Sequence, residues 1–216
     1  MSIKSLTATA CLGLAALFSP LLASAQTAPA QPQPYRLVDI GQGYRKTVVE
    51  AMEFGCPYCR ALNDGLMSWS ATLPAGWHFI QMPTVTDVSY IPMAQSFFSA
   101  ALVAPRDTLN FEDAAFALIQ DDHQPLNSLM TYAHAASSAG IQAGAYVHAL
   151  TSSPVKKEVF EDVRVMQRAR IEATPTLILC GKYAITPSDT NGNYSMFIQL
   201  ANGLISQCIR DKGGDK

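Results

Sequence analysis

Val48-Val49-Glu50-Ala51-Met52-Glu53-Phe54-Gly55-Cys56-Pro57-Tyr58-Cys59 is an apolar run that ends in two cysteines separated by two residues. The segment from Arg45 to Phe54 reads as a buried strand, because Thr47, Val48, Val49, Ala51, Met52 and Phe54 leave few polar positions on either face. Pro57 then sits where a first-turn proline is tolerated, and Leu62, Leu66, Met67 and Trp69 follow at helical spacing as far as Leu73-Pro74. This order puts Cys56 at a helix N-terminus, where unpaired backbone N–H groups and the helix dipole favour a thiolate. Cys56 is therefore the expected attacking and attacked sulfur. Cys59, one turn further on and on the buried side, is the expected resolving thiol. Stabilising the Cys56 thiolate stabilises the reduced form, which makes the disulfide a stronger oxidant.

The chain of 216 residues has ordinary apolar content and no disordered or collagen-like bias, and it fits one globular domain with an insertion. Its first 25 residues differ in kind. Lys4 is followed by an apolar core from Leu12 to Leu22 and by the small-residue pattern Ala23-Ser24-Ala25, so residues 1–25 read as a signal peptide cleaved before Gln26. Ser19-Pro20 interrupts the apolar stretch, which is shorter than the roughly 20 residues that span a bilayer. Residues 26–34, rich in Pro and Gln, read as an extended tether. Loss of Lys4 leaves 14 basic against 17 acidic side chains, a charge of −3, which argues against nucleic acid as a partner.

Cys11 leaves with the signal, and four cysteines remain for an oxidising compartment. Cys56 and Cys59 form a close pair, while Cys180 and Cys208 lie 28 positions apart and are either a structural disulfide or two buried thiols. A structural zinc site needs four ligands, commonly as two close pairs. Cys180 and Cys208 do not supply the second pair, and His78, His123, His134 and His148 have no paired spacing with them, so no metal is expected.

Trp77 to Met82 is a second short strand candidate, and helical runs follow around Ala94–Leu102, Phe111–Ile119, Ser128–Ala139, Ala143–Ala149 and Val155–Arg168. Pro175 to Cys180 and Lys182 to Ile185 read as strands joined at Gly181, and Tyr194 to Ile209 as a closing amphipathic helix. Residues 35–83 and 171–212 thus make an α/β domain, a mixed sheet flanked by helices, into which residues 84–170 insert an all-helical subdomain. Met93, Phe97, Phe98, Met130, Tyr132 and Tyr146 are its expected core.

With Ala173-Thr174-Pro175-Thr176 and Gly181-Lys182-Tyr183, the opening stretch resembles the DsbA-type periplasmic thiol:disulfide interchange proteins of the thioredoxin-like superfamily. The resemblance covers most of the chain. It implies a thioredoxin-like fold, catalysis by Cys56 and Cys59 without a cofactor, and a cis peptide bond between Thr174 and Pro175. It further implies that Thr174 pairs with substrate and that Glu50 relays a proton for the buried thiol. Glu53 points to the opposite face by strand alternation and is expected to tune charge at the rim. Tyr58 stands where the family's strong oxidants commonly carry His. A phenol brings no positive charge, so a milder thiolate is expected. The implied function is a monomeric periplasmic dithiol oxidase acting on reduced, newly exported polypeptides and reoxidised by a DsbB-type membrane quinone reductase. Alternatives are a disulfide isomerase or reductase of the same fold, or a redox-inactive peptide-binding chaperone.

Overall fold

The computed structural model describes residues 33–211; the expected signal peptide and residues 26–32 of the expected tether lie outside them. Five strands form one mixed sheet in the order β1-β5-β4-β2-β3, with β1 at Arg36–Leu37, β2 at Thr47–Met52, β3 at His78–Pro83, β4 at Thr176–Leu179 and β5 at Tyr183–Ile185. All six residues of β2 are buried, as its near-continuous apolar run requires of a central strand. β2 runs parallel to β3 through helix α1, Pro57–Ser70, and antiparallel to β4, which turns back into β5. The three-residue connection between the paired Leu179 and Tyr183 carries Cys180 at φ 48° and Gly181 at φ 72°, and the Lys182 N–H closes the turn on the Leu179 carbonyl at 3.0 Å. A Cβ on Gly181 would meet the Gly41 carbonyl oxygen at 3.1 Å. β1 was not expected, since two residues carry no periodicity; it exists by pairing Arg36 with Ala184 and Leu37 with Tyr183.

Strand alternation sorts the sheet into two faces. Val48, Leu177 and Leu179 pack with Leu66 and Trp69 of α1 and with Phe197, Ala201 and Leu204 of the last helix, α7, at Tyr194–Asp211. Val49, Ala51, Ile178 and Ala184 meet Val165, Met166 and Ala169 on the opposite side. These three residues belong to α6, Ser153–Ala169, whose first half packs instead with the inserted helices through Val155 and Val159. Ser152 caps α6 by accepting from the Val155 N–H at 3.4 Å, with a proline in the first turn, where the missing N–H costs nothing.

The expected helical runs of the insertion are α2 at Ile91–Val103, α3 at Thr108–Gln120, α4 at Leu129–Ser138 and α5 at Ala143–Leu150. Their core is built around Phe54, which continues from β2 into a cluster with Phe116 (ring centroids 5.0 Å apart), Tyr132 (5.7 Å) and Phe111 (6.1 Å). Met93, Phe97, Tyr132 and Tyr146 are buried there as expected and Phe98 partly so, but Met130 is 64% exposed near the start of α4. Its neighbours Thr131 and Tyr132 take the buried stripe, so a helical position and not hydrophobicity decides which residue goes inside.

Asp162 of α6 is fully buried, neither carboxylate oxygen has a hydrogen-bond partner among the described residues, and burial pushes its pKa up to about 8. Because the folded value lies above the unfolded one, the cost to stability grows as pH rises from the ordinary carboxyl value of 3.8 towards 8. Asp162→Leu, an apolar replacement of similar size, is expected to stabilise the fold by about 1–3 kcal/mol at pH 8 and by less at pH 5. Urea unfolding at the two pH values measures this; equal or lower stability of the variant at pH 8 contradicts it.

Candidate active site

Cys56 is the N-cap of α1. Its Sγ accepts the Cys59 backbone N–H at 3.3 Å, and its thiol can donate to the Thr174 carbonyl oxygen at 3.2 Å. Pro57 fills the first helical position, and the Thr174-Pro175 bond is cis. The loop before the helix is held from outside the α/β sheet. Gln120, the last residue of α3, donates from Nε2 to the Phe54 carbonyl at 2.8 Å and to that of Cys56 at 3.1 Å. Cys56 and Cys59 are unbonded, the first half-buried and the second buried. The structure therefore presents the dithiol form.

The two sulfurs have opposite electrostatics. A hydrogen bond from the Cys59 thiol, opposed by burial and supported by the Thr174 side chain and the N–H groups of Cys59 and Tyr58, lowers the Cys56 pKa to about 6. The same hydrogen bond, together with burial and the charge of Cys56, pushes Cys59 far above the usual thiol range. Deprotonation at neutral pH thus falls on the accessible sulfur. Tyr58 is 66% exposed and lines, with Thr174 and Pro187, a hollow of about 480 Å³ beside the cysteines. Its ring reaches solvent and leaves the thiolate to the helix terminus and its neighbours.

Glu50 lies in β2 on the α1 side of the sheet, only 1% exposed, and burial raises its pKa to about 8, while the charges of Glu112 and Cys56 push the same way. Its Oε2 accepts from Gln81 Nε2 at 3.2 Å. That same Gln81 nitrogen lies 3.0 Å from Asn63 Oδ1 and 3.3 Å from Glu112 Oε2, and Asn63 Nδ2 donates to Glu112 Oε2 at 2.9 Å. Glu53, half-buried, is raised first by burial and then by Cys56. Asn63, Gln81, Glu112 and Gln120 were not anticipated from sequence. The available signal was a polar residue on an apolar stripe: Asn63 falls between Cys59 and Leu66, and Glu112 between Phe111 and Ala115.

Cys180 and Cys208 are bonded, with Cα atoms 6.5 Å apart, at the end of β4 remote from Pro175. Among the described residues, no group of three or more His, Cys, Asp or Glu side chains could hold a metal ion.

A mixed sheet of this order with a Cys-x-x-Cys helix N-terminus facing a cis-proline defines the class of thioredoxin-fold thiol:disulfide oxidoreductases. No protein-family model matches the chain. Among individual proteins, it is 24% identical over 207 residues to the thiol:disulfide interchange protein DsbA of Pseudomonas aeruginosa, an alignment covering 94% of this chain and 96% of the relative. The crystal structure of Pseudomonas aeruginosa DsbA superposes with a TM-score of 0.74 at 21% identity, over 85% of this chain and 95% of that one. A Proteus mirabilis DsbA variant crystallised with a non-covalently bound peptide gives 0.69 at 18% identity, over 81% and 96%. Within this class, the chain is similar to the DsbA-type thiol:disulfide interchange proteins.

Proposed function

We propose that the protein is a periplasmic dithiol oxidase that donates the Cys56–Cys59 disulfide to reduced, newly exported polypeptides. The observation that carries this reading is the opposed pair of thiols, Cys56 lowered to about 6 at a helix N-terminus and Cys59 buried and raised. A substrate thiolate attacks Cys56 Sγ, the Cys56–Cys59 bond breaks, and Cys59 leaves as a thiolate that takes up a proton. A second substrate thiolate then attacks the substrate sulfur of the mixed disulfide and releases Cys56 as a thiolate, leaving the substrate oxidised and the enzyme reduced.

Glu50 is the proton source for Cys59 in this scheme, because a carboxyl that stays protonated to about pH 8 is an acid at neutral pH and its charge acts on Cys59. The backbone of Thr174, beside Cys56, pairs with an extended substrate segment, and the hollow by Tyr58 takes the flanking residues. The peptide-bound Proteus mirabilis relative supports a polypeptide substrate. Reoxidation falls to a DsbB-type membrane quinone reductase. The leader-like residues 1–25 support export, and among the described residues no helix is long and apolar enough to cross a membrane.

Equilibration with glutathione redox buffers tests the donor direction. With Tyr58 in place of a cationic neighbour, the expected potential is more positive than thioredoxin's, about −270 mV. It should stay below about −120 mV, a value that belongs to the family's strong oxidant and not to this chain. A potential at or below thioredoxin's overturns the reading in favour of a reductase.

A further inference from the structure

We infer that Glu112, carried by the inserted helix α3, is a positioning residue that keeps the Glu50 carboxyl protonated, by setting a second buried carboxylate across the Gln81 amide from it. The inference rests on the reading of Glu50 as proton source for Cys59 and names what holds it in that state.

Four side chains from four elements meet at this point: Glu50 of β2, Asn63 of α1, Gln81 of β3 and Glu112 of α3. Glu50 and Glu112 are 1% and 0% exposed. The Gln81 amide has two N–H groups for three acceptors, Glu50 Oε2, Asn63 Oδ1 and Glu112 Oε2. Its hydrogens are therefore shared, and one acceptor goes short whenever both carboxyls are ionised. A carboxyl that keeps its own proton removes the shortage.

The donor count decides which carboxyl that is. Glu112 Oε2 receives Asn63 Nδ2 at 2.9 Å as well as the shared Gln81 nitrogen, whereas among the described residues Glu50 receives Gln81 alone. The better-supplied carboxylate ionises first, and its charge then opposes ionisation of the other across a dry interior. Glu112 Oε1 has no partner among the described residues, so its charge is poorly compensated.

The surrounding charges act in the same sense. Those felt most by Glu50 are Glu112 and the Cys56 sulfur, and the one felt by Glu112 is Asp113, on the same helix. Asp113 in turn faces Asp64 and Arg60 of α1, and Arg60 is engaged at the surface with Asp121 at 2.7 Å. Burial raises both carboxyls, while the hydrogen bonds from Asn63 and Gln81 oppose the rise at Glu112 and that from Gln81 opposes it at Glu50. The inserted subdomain would thus reach the chemistry of Cys59 through one side chain, as it reaches the Cys56 loop through Gln120.

The test follows the side-chain carboxyl carbons by NMR during a pH titration of the reduced protein. Glu112→Gln keeps shape and can still accept from Asn63, but removes the neighbouring charge. The Glu50 midpoint is expected to fall by about one pH unit, the size of coupling that makes two carboxyls titrate as a pair. The alkaline fall in the dithiol oxidation rate should move down with it. Glu112 ionises while Glu50 still holds its proton, so Glu50→Gln should leave the Glu112 midpoint nearly in place; Glu112→Met, which also removes the charge, gives a second route to the Glu50 midpoint if the first variant does not fold. An unmoved Glu50 midpoint in folded Glu112→Gln or Glu112→Met overturns the inference. The reading of Glu50 as proton source fails separately, if Glu50→Gln leaves the pH–rate profile unchanged while Glu112→Gln still lowers the Glu50 midpoint.

Discussion

Glu50→Gln is expected to slow oxidation of a model dithiol by roughly 10- to 100-fold, the lower part of the range for a positioned proton donor. The physical problem lies at Cys59. When substrate attacks Cys56, the departing sulfur carries its charge into a buried position where hydrogen bonding and desolvation hold its pKa far above the usual thiol range. An isosteric amide preserves the contact with Gln81 but has no proton to give. The pH dependence separates this from a structural effect. The Glu50 carboxyl is protonated below about 8, so the native rate, corrected for the thiolate fraction of the substrate, should fall as pH rises through 8. The variant should be slow and flat across the same interval. Stability changes as well, with a definite sign. A carboxyl whose folded pKa of about 8 exceeds its ordinary value of 4.5 loses stabilisation progressively between those values, so the variant should gain on the native protein above pH 5 and not below 4.5. Stopped-flow rates together with urea unfolding from pH 4 to 9 measure both, and a native-like corrected rate profile sinks the proposed role.

Removing the second disulfide by Cys180→Ala with Cys208→Ala is expected to cost about 3–4 kcal/mol, the loop-closure value for a separation of 28 residues. The bridge ties the β4–β5 hairpin to α7, and both elements contribute to the core on the α1 face of the sheet. The urea midpoint should therefore drop by roughly 1–3 M at the slopes typical of a domain this size. The glutathione equilibrium of Cys56 and Cys59 should stay where it is, because Cys180 follows the far end of β4 from Pro175. A midpoint unchanged in the double variant means that the bridge contributes nothing to stability.

The helix-terminal position of Cys56 was legible in the sequence because its environment is local. Pro57 and the helical spacing after it put Cys56 at a helix start, and N–H groups within the next turn then act on it. The polar cluster behind it was not legible, since its four members lie on four elements and are separated by up to 62 positions between Glu50 and Glu112. Each has an ordinary local context; only packing makes an acid on the apolar stripe of α3 face an acid in β2. Gln120 is similar, since nothing near it in sequence indicates that its amide closes the loop carrying Cys56. Met130 shows the converse, an apolar residue left outside because the helix phase turned it away.

By itself, the sequence determined the strand, Cys-x-x-Cys and helix order, the mixed α/β class and the accessible thiol, because apolar periodicity, proline placement and helix-terminus electrostatics act over a few residues; the thioredoxin-like expectation came from the family resemblance. Tertiary structure alone decided which side chains meet Glu50, that Gln120 holds the loop carrying Cys56, and that α6 serves both the sheet and the insertion. Those features depend on distances between side chains far apart in the chain, and only a packed, low-dielectric interior sets such distances and gives the charges there their strength.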